Sequence, residues 1–489
     1  MNNTKKILSG VLALSLTAGF TACGSKSSDT GADTAQTTAQ TTTAITVETN
    51  TATLAAEEVD VLAGAMDKLQ DVELANKEIK WLAHYDLNPS GSGASKSVAQ
   101  EMFERKYGGT ITWYKTVWEN RYTDLSTYVL GGEGIDFFPG DDVYNFPKGI
   151  ISGMFLPIDD YIDMDSEIWA DMKPAMDLYN FGGKHFNLVT SVTAEEICIY
   201  NKATIEANGL DDPWELFEAG EWNWDTFKGM LQEFVDDEND QFGLDGYWAE
   251  NALLFSAGVP LVGTKDGQLV CNYNDATVEK AMNFQYDLFN AGLVFDRTAY
   301  SGANQEIPEM MGDGRQLFYI VGAYSIQADP ATWVTKIDPA DVGIVPVPSP
   351  ADSDPYAVAK LNGYAICKGA QNPQGVALFA ECNVVGSTDE GAVAISDRKT
   401  MDDFKWSEEL LEKNKMINEL AMQYPVVDLA SGCSTDVASY TTQGGDNVGT
   451  RAALHGADWA TTRETYADAV IGLVDEVNAE LQTKIAELG

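Results

Sequence analysis

The chain has 489 residues, with 31 Lys and Arg against 75 Asp and Glu, and a formal net charge of −44. So acidic a surface argues against nucleic acid and other polyanions as partners. It leaves the charge of a small ligand open, because a cleft can differ from the average surface.

The first elements lie at the N-terminus. Lys5 and Lys6 form a short basic region, and Ile7 to Phe20 runs apolar with small polar interruptions. That is the length of an export-signal core, and too short for a bilayer core roughly 30 Å thick. The segment ends Phe20-Thr21-Ala22-Cys23-Gly24. Small residues before a Cys, followed by Gly, resemble the bacterial lipobox, with Phe20 where that pattern prefers Leu. The resemblance implies a signal peptide over residues 1–22 and a lipid on Cys23. The chain is then expected at the cell surface, anchored to the outer face of the cytoplasmic membrane. Removing residues 1–22 takes away Lys5 and Lys6 and leaves a charge of −46. Residues 23–56 are dominated by Ser, Thr, Ala and Gln and have little apolar surface to bury, which predicts a disordered tether. Such a linker reaches about 30 Å. No other segment is long and apolar enough to span a membrane.

From residue 57 onward the chain is rich in aromatics and too long for one ordinary core, which predicts two domains. An acidic helical segment over about 57–76 leads to a strand over 78–83 and a turn from Asn88 to Gly93. Helical spacing follows over 95–107, where Val98, Met102 and Phe103 share a face and Gly108-Gly109 supplies a C-terminal stop. Further strands are predicted over 110–114 and 135–138, with a helix over 122–130 between them. The pattern resumes with a strand over 196–200, helices over 224–235 and 277–290, strands over 316–321 and 342–347, and a helix over 373–383. The tail is helical over 406–420 and 459–488. Alternating strands and helices predict an α/β fold with parallel sheets covered on both faces. Ligands of such sheets bind beyond the carboxyl ends of the strands. The loops after Ala83, Tyr114 and Phe138 are therefore candidate site loops.

Six Cys occur in all. Beyond Cys23, the other five have no CxxC spacing and read as small buried apolar residues. Whether any two pair is left open. His84, His185 and His455 are far apart and no HxxxH occurs, so no zinc site is expected. The P-loop, the G-x-G-x-x-G pattern and the G-x-S-x-G elbow are all missing, and no cofactor is expected. Residues 236–243 form an acidic loop, but Gln241 stands where a calcium loop starting at Asp236 needs Gly.

Four segments carry a family resemblance. They are Ile199-Tyr200-Asn201-Lys202 with Gly209-Leu210 and Pro213-Trp214; Trp222-Asn223-Trp224-Asp225-Thr226-Phe227; Gly314 to Tyr324, ending Gly322-Ala323-Tyr324; and Val342-Gly-Ile-Val-Pro-Val-Pro, followed by Lys368-Gly-Ala-Gln-Asn-Pro. In this order the chain resembles the extracellular solute-binding proteins of the carbohydrate type, which are maltose-binding-protein-like components of bacterial ABC importers. The resemblance runs from about Ile79 to the C-terminus. It implies a two-lobed, periplasmic-binding-protein-like fold with a hinge of crossing strands near 190–196, 333–343 and 393–401. Lobe 1 would comprise 57–193 and 338–397. Lobe 2 would comprise 194–337 and the C-terminal helices of 398–489. It further implies a monomer that captures a carbohydrate, an oligosaccharide by its aromatic supply, and passes it to the permease subunits of the importer.

A sugar offers hydroxyl groups and flat C–H faces, so its pocket needs planar rings, carboxylates, amides and Arg. The switch-point loops supply His84, Tyr85 and Asp86, then Trp118, Glu119, Asn120 and Arg121, then Asp141 and Asp142. By family position Tyr324 and Trp459 are stacking rings, and Glu195 is a carboxylate at the first crossing. Trp248 and Asn251 belong to a loop of the second lobe facing the cleft, and Asn362 precedes a crossing-side strand. Trp222 and Trp224 are read as structural, with Asn223 capping the helix that starts at Trp224. Three alternatives are weighed. A secreted glycosidase needs two carboxylates across a cleft, and among 75 acids such pairs arise by chance. A peptide or a polyamine is the other cargo that the acidic composition keeps in view.

Overall fold

A computed structural model describes residues 49–89, 93–141, 145–302, 305–441 and 454–488. Cys23, the signal segment, most of the tether and Asp142 lie outside the described residues.

Two sheets organise the chain. The first contains β1 (Glu78–Ala83), β2 (Thr110–Lys115), β3 (Phe137–Pro139) and β4 (Leu188–Ala194). The chain then enters the second with β5 (Ile197–Asn201), β6 (Phe242–Gly246), β7 (Gln316–Val321) and β8 (Val342–Val345). It returns to the first through β9 (Ala357–Ile366) and β10 (Pro425–Val426). The first sheet runs β10-β9-β3-β1-β2, with β4 also paired to β9; the second runs β8-β5-β7-β6. β1 has parallel neighbours in β2 and β3, and β6 is parallel to β7. The sheets are mixed, however, rather than parallel as predicted. β9 runs antiparallel to β3 and β4, and β5 antiparallel to β7 and β8. The exceptions all involve the strands that carry the chain between the sheets, which arrive and leave in opposite directions.

Local chemistry explains the elements. Every residue of β7 is buried, as a central strand covered on both faces requires. The helix Val98–Tyr107 starts at a capping box, in which Ser97 accepts from the Gln100 amide, and stops at Gly108 with φ 66°. Asn223 accepts from the amides of Asp225 and Thr226 to start the helix Trp224–Phe234. The indole N–H groups of Trp222 and Trp224 donate to the carbonyls of Pro346 and Pro348 at 2.8 and 2.9 Å. Trp224 also stacks on Phe284 at 4.3 Å. Both tryptophans are structural.

The chain passes from the first sheet to the second through Ala194-Glu195-Glu196-Ile197. The return runs through 346–356, later than the predicted 333–343, because Trp333 is buried in the second core and β8 belongs to the second sheet. The region of the predicted third crossing, 393–401, lies inside a helix, Glu390–Phe404, whose N-cap Asp389 accepts from the Ala392 amide. That helix packs Ala392 and Ile395 into the first core, and Met401 and Phe404 against the second.

Two apolar cores result. The second holds residues from Ala194 to Leu253 other than Trp224, then Leu288 and Leu293, Met311 to Val345, and Trp406 to Ala421. Three stretches expected with it pack in the first core instead: Leu254 to Met282, Val426 to Val437, and Trp459 to Leu481. Cys198, Cys367, Cys382 and Cys433 are buried, Cys271 is half-buried, and all five are free thiols. Burial pushes the four buried thiols well above their ordinary range.

Trp459 opens the 30-residue helix Trp459–Leu488. It was expected to stack on ligand, but its exposure is 0 % and its ring lies on Tyr273 at 5.0 Å. The ring therefore has no face to offer, because it is wholly buried in the first core against Tyr273. Replacing Trp459 by Ala should lower the free energy of unfolding by about 3–5 kcal/mol. Chemical denaturation measures this; a loss under about 0.5 kcal/mol, typical of a surface change, would contradict the core placement.

Candidate functional site

The site is assembled from the carboxyl ends of strands in both sheets and from the crossing between them. After β1, His84 and Tyr85 are exposed and Asp86 is half-buried. The Trp81 indole donates to the Tyr85 carbonyl at 3.0 Å and fixes this turn. Asp86 accepts from the backbone and side-chain nitrogens of Asn88, both at 2.9 Å, so one carboxylate oxygen serves its own turn.

After β2 the chain makes a short turn at Trp118–Asn120 and enters the helix Arg121–Gly131. The His84 ring stands edge-on to Tyr85 and to Trp118, each at 5.0 Å. Arg121 is buried, with its guanidinium 3.5 Å over the Trp118 ring and 4.3 Å over Tyr122. It also donates to the Trp118 carbonyl. Arg121 was expected to bind ligand; the structure places it behind Trp118, where it holds the ring by cation–π attraction. After β3, Asp141 is half-buried and pairs with Lys360 of β9 at 3.1 Å.

At the crossing, Glu195 is half-buried and Glu196 is buried. Burial and the neighbouring Glu195 push the Glu196 carboxyl well above its ordinary range, against the pull of Lys360. Asn362 lies within β9 rather than before it. Its amide donates to Thr193 Oγ1 at 2.9 Å and to Ser191 Oγ at 3.3 Å, tying the two crossing strands together.

The second sheet supplies three aromatic residues. Tyr247 and Trp248 follow β6, with rings 4.8 Å apart. Trp248 adopts φ 68°, ψ 24°, a left-handed conformation. For a bulky residue this costs on the order of 1–3 kcal/mol. Asn251 lies in the following helix, Ala249–Phe255, with a buried side-chain oxygen that has no hydrogen-bond partner. Tyr324 follows β7 in a short turn and is 55 % exposed. Partial burial, Tyr247 and the carboxylates of Glu195 and Glu196 push its phenol up to about 12. Gly322 makes this placement possible, since a Cβ there would fall 2.3 Å from the Tyr324 ring and 3.2 Å from the Glu195 carbonyl.

The structure thus brings together His84, Tyr85, Trp118 and Trp248 through ring contacts, the last across the lobes at 6.4 Å. It gathers Tyr324, Glu195, Asp141 and Asn362 about the crossing. Trp459 is not among them. Tyr247, Glu196 and Lys360 were missed by sequence reasoning. Tyr247 had a findable signal, as the neighbour of Trp248. Lys360 is the one charge in a largely apolar strand.

Among the described residues, no group of three or more His, Cys, Asp or Glu side chains is placed to hold a metal. In the acidic loop, Asp236 accepts from the Glu238 amide and the Asn239 side chain, so its carboxylate serves the loop itself. The rings offer flat apolar faces, and the crossing offers carboxylates and a Lys. Such a surface can stack on a ring-shaped ligand and accept hydrogen bonds from its polar groups.

No protein-family model matches the sequence, and no curated protein matches it. Solved structures do match. The chain is similar to an ABC substrate-binding protein from Listeria monocytogenes in complex with cycloalternan, at 15% identity and a TM-score of 0.58, over 83% of this chain and 99% of that one. It is similar to an ABC transporter solute-binding protein from Thermotoga lettingae bound with alpha-D-tagatose, at 17% identity and a TM-score of 0.56, over 83% and 100%. It is also similar to the sugar-binding protein MalE from Xanthomonas citri, at 14% identity and a TM-score of 0.57, over 83% and 98%. These matches span nearly the whole of each neighbour, and the chain has the two-lobed α/β fold of these sugar-binding proteins.

Proposed function

We propose that this chain is the substrate-binding component of an ABC importer, and that it captures a carbohydrate, an oligosaccharide, between its lobes. The observation that carries this reading is the set of rings presented by both lobes at the cleft, with the exposed Tyr324 ring next to the crossing at Glu195. Closure on ligand then favours one lobe arrangement over the other, and the permease recognises that arrangement. Tyr324 stacks on a sugar face. Glu195 and Asp141 accept from hydroxyls, while Tyr85 and His84 line the lobe-1 side. The chain acts as a monomer and is not an enzyme. Its lobes divide at the crossings, near 195/196 and within 346–356, with 254–282, 426–437 and 459–481 packed toward the first core. Cys23 carries the lipid, and residues 23–56 tether the lobes at the outer face of the cytoplasmic membrane.

A second cargo class has its own support. Asp141 and Glu195 outnumber Lys360 at the crossing, which favours a polyamine or a basic peptide over an anionic ligand.

Thermal unfolding against oligosaccharides, polyamines and peptides distinguishes these cargoes. A sugar at about 100 times its dissociation constant should add about 2.7 kcal/mol of stability. A shift with polyamine alone would replace the cargo, and no shift with any would remove the support for capture. Replacing Tyr324 by Ala should weaken sugar binding by about 1–3 kcal/mol, within the range for a stacking hot spot, with the unfolding midpoint of the free protein unchanged. Calorimetric titration reads this, and equal affinity would take Tyr324 out of the site. Fractionation of cells producing Cys23→Ala should show the protein released from the membrane; a variant still in the membrane fraction would overturn the lipid assignment.

A further inference from the structure

β6 ends in a turn that carries two of the site's rings, Asp245-Gly246-Tyr247-Trp248. The Tyr247 amide donates to the Ile320 carbonyl of β7 at 2.9 Å. A Cβ at Gly246 would fall 2.2 Å from that same carbonyl, so the turn lies directly against the neighbouring strand. Tyr247 is exposed, and its phenol is close enough to Tyr324 to help push that group up. Trp248 has a left-handed backbone, and its carbonyl accepts from the amides of Asn251 and Ala252 at 3.0 and 3.1 Å. The exit of the turn is thereby fixed to the helix Ala249–Phe255.

The entry is fixed by a residue remote in sequence. Backbone pairing lays residues 293–295 along β6. The Leu244 amide donates to the Leu293 carbonyl at 2.9 Å, and the Phe295 amide to the Leu244 carbonyl at 2.8 Å. Arg297 is thereby brought to Asp245. Its guanidinium donates to one Asp245 carboxylate oxygen at 2.9 and 2.6 Å and to the Gly246 carbonyl at 2.7 Å, and pairs with Glu306 at 2.8 Å. The same Asp245 oxygen accepts from the Gly246 amide at 2.8 Å. Asp245 is buried, and burial pushes its carboxyl up to about 6 even beside Arg297. A planar fork serves several acceptors at once, whereas an ammonium is a single point of charge. A bulky residue keeps a left-handed backbone only where its surroundings over-determine it. Arg297 supplies that constraint at the first two residues of the turn.

We propose that Arg297 is a positioning residue of the binding cleft: by gripping Asp245 and Gly246 it sets where the Tyr247 and Trp248 rings stand. The role rests on the reading that these rings meet the ligand. Sequence patterns hide it, because 52 positions separate Arg297 from Asp245.

Fluorine NMR of the full chain labelled with fluorotryptophan tests it with no ligand present. The chain has 11 Trp, and the resonance missing from Trp248→Phe is that of Trp248. Removing Arg297 alone strands a buried carboxylate, so Arg297→Gln is combined with Asp245→Asn. Arg297→Lys, which keeps the charge, is the second variant. In both, the Trp248 resonance should leave its native position while those of the core residues Trp81 and Trp333 stay. In whichever variant holds Trp81 and Trp333 at their native positions, a native Trp248 resonance would overturn the proposal. Displacement of all the resonances together in both variants would also overturn it, by making Arg297 a general support of the fold. A chain that binds no sugar would remove the ring reading and leave this result as measured.

Discussion

The antiparallel pairing of β4 with β9 is the joint on which both sheets depend. β4 delivers the chain to the second sheet, and β9 brings it back to the first. Between them, Ala359 faces Ala194, Leu361 faces Val192, and Tyr364 faces Leu188, with one irregularity at Asn362/Gly363. A backbone group left unpaired in such a buried place costs about 1–3 kcal/mol, so the register is tightly specified. Asn362 adds side-chain bonds to Thr193 and Ser191 on the partner strand. Gly363 is required beside it, since a Cβ there would fall 2.2 Å from the Leu188 carbonyl.

The site inherits its geometry from this joint. Glu195 and Glu196 are the two residues that pass from β4 to β5, and Lys360 lies on β9 opposite Thr193. Carboxylates and a Lys are therefore gathered at the crossing by strand pairing alone. The rings come from farther out, at the ends of β1, β2, β6 and β7. Each is supported by its own lobe: Tyr85 by Trp81, Trp118 by Arg121, Trp248 by the Arg297-locked turn, and Tyr324 by the space over Gly322.

Much of this was legible in the residues. β1 and β7 and the helix Trp459–Leu488 fall where apolar runs and helical spacing place them, because each is a long unambiguous pattern. β6 was missed, since its sequence FGLDG has low strand propensity. Its glycines answer to packing instead: a Cβ at Gly243 or Gly246 would fall 2.2 Å from a carbonyl of Leu293 or Ile320. The helix Glu390–Phe404 was expected near a crossing strand, although Asp389 is a sound cap for it. Trp459 misled for another reason. An aromatic at a helix start reads alike whether it faces a core or a cleft, and its neighbour Tyr273 is remote in sequence. Arg121 likewise reads as a ligand donor until Trp118 and Tyr122 are seen against it.

The central claim is that ligand is held at the crossing, between rings from both lobes. A crystal structure of the full chain with an oligosaccharide that stabilises it tests this most directly. The account predicts the sugar against the Tyr324 ring, with Glu195 or Asp141 accepting from its hydroxyls. Sugar bound instead in the cavity of about 250 Å³ lined by Asp245, Arg297 and His455, with Tyr324 untouched, would contradict it.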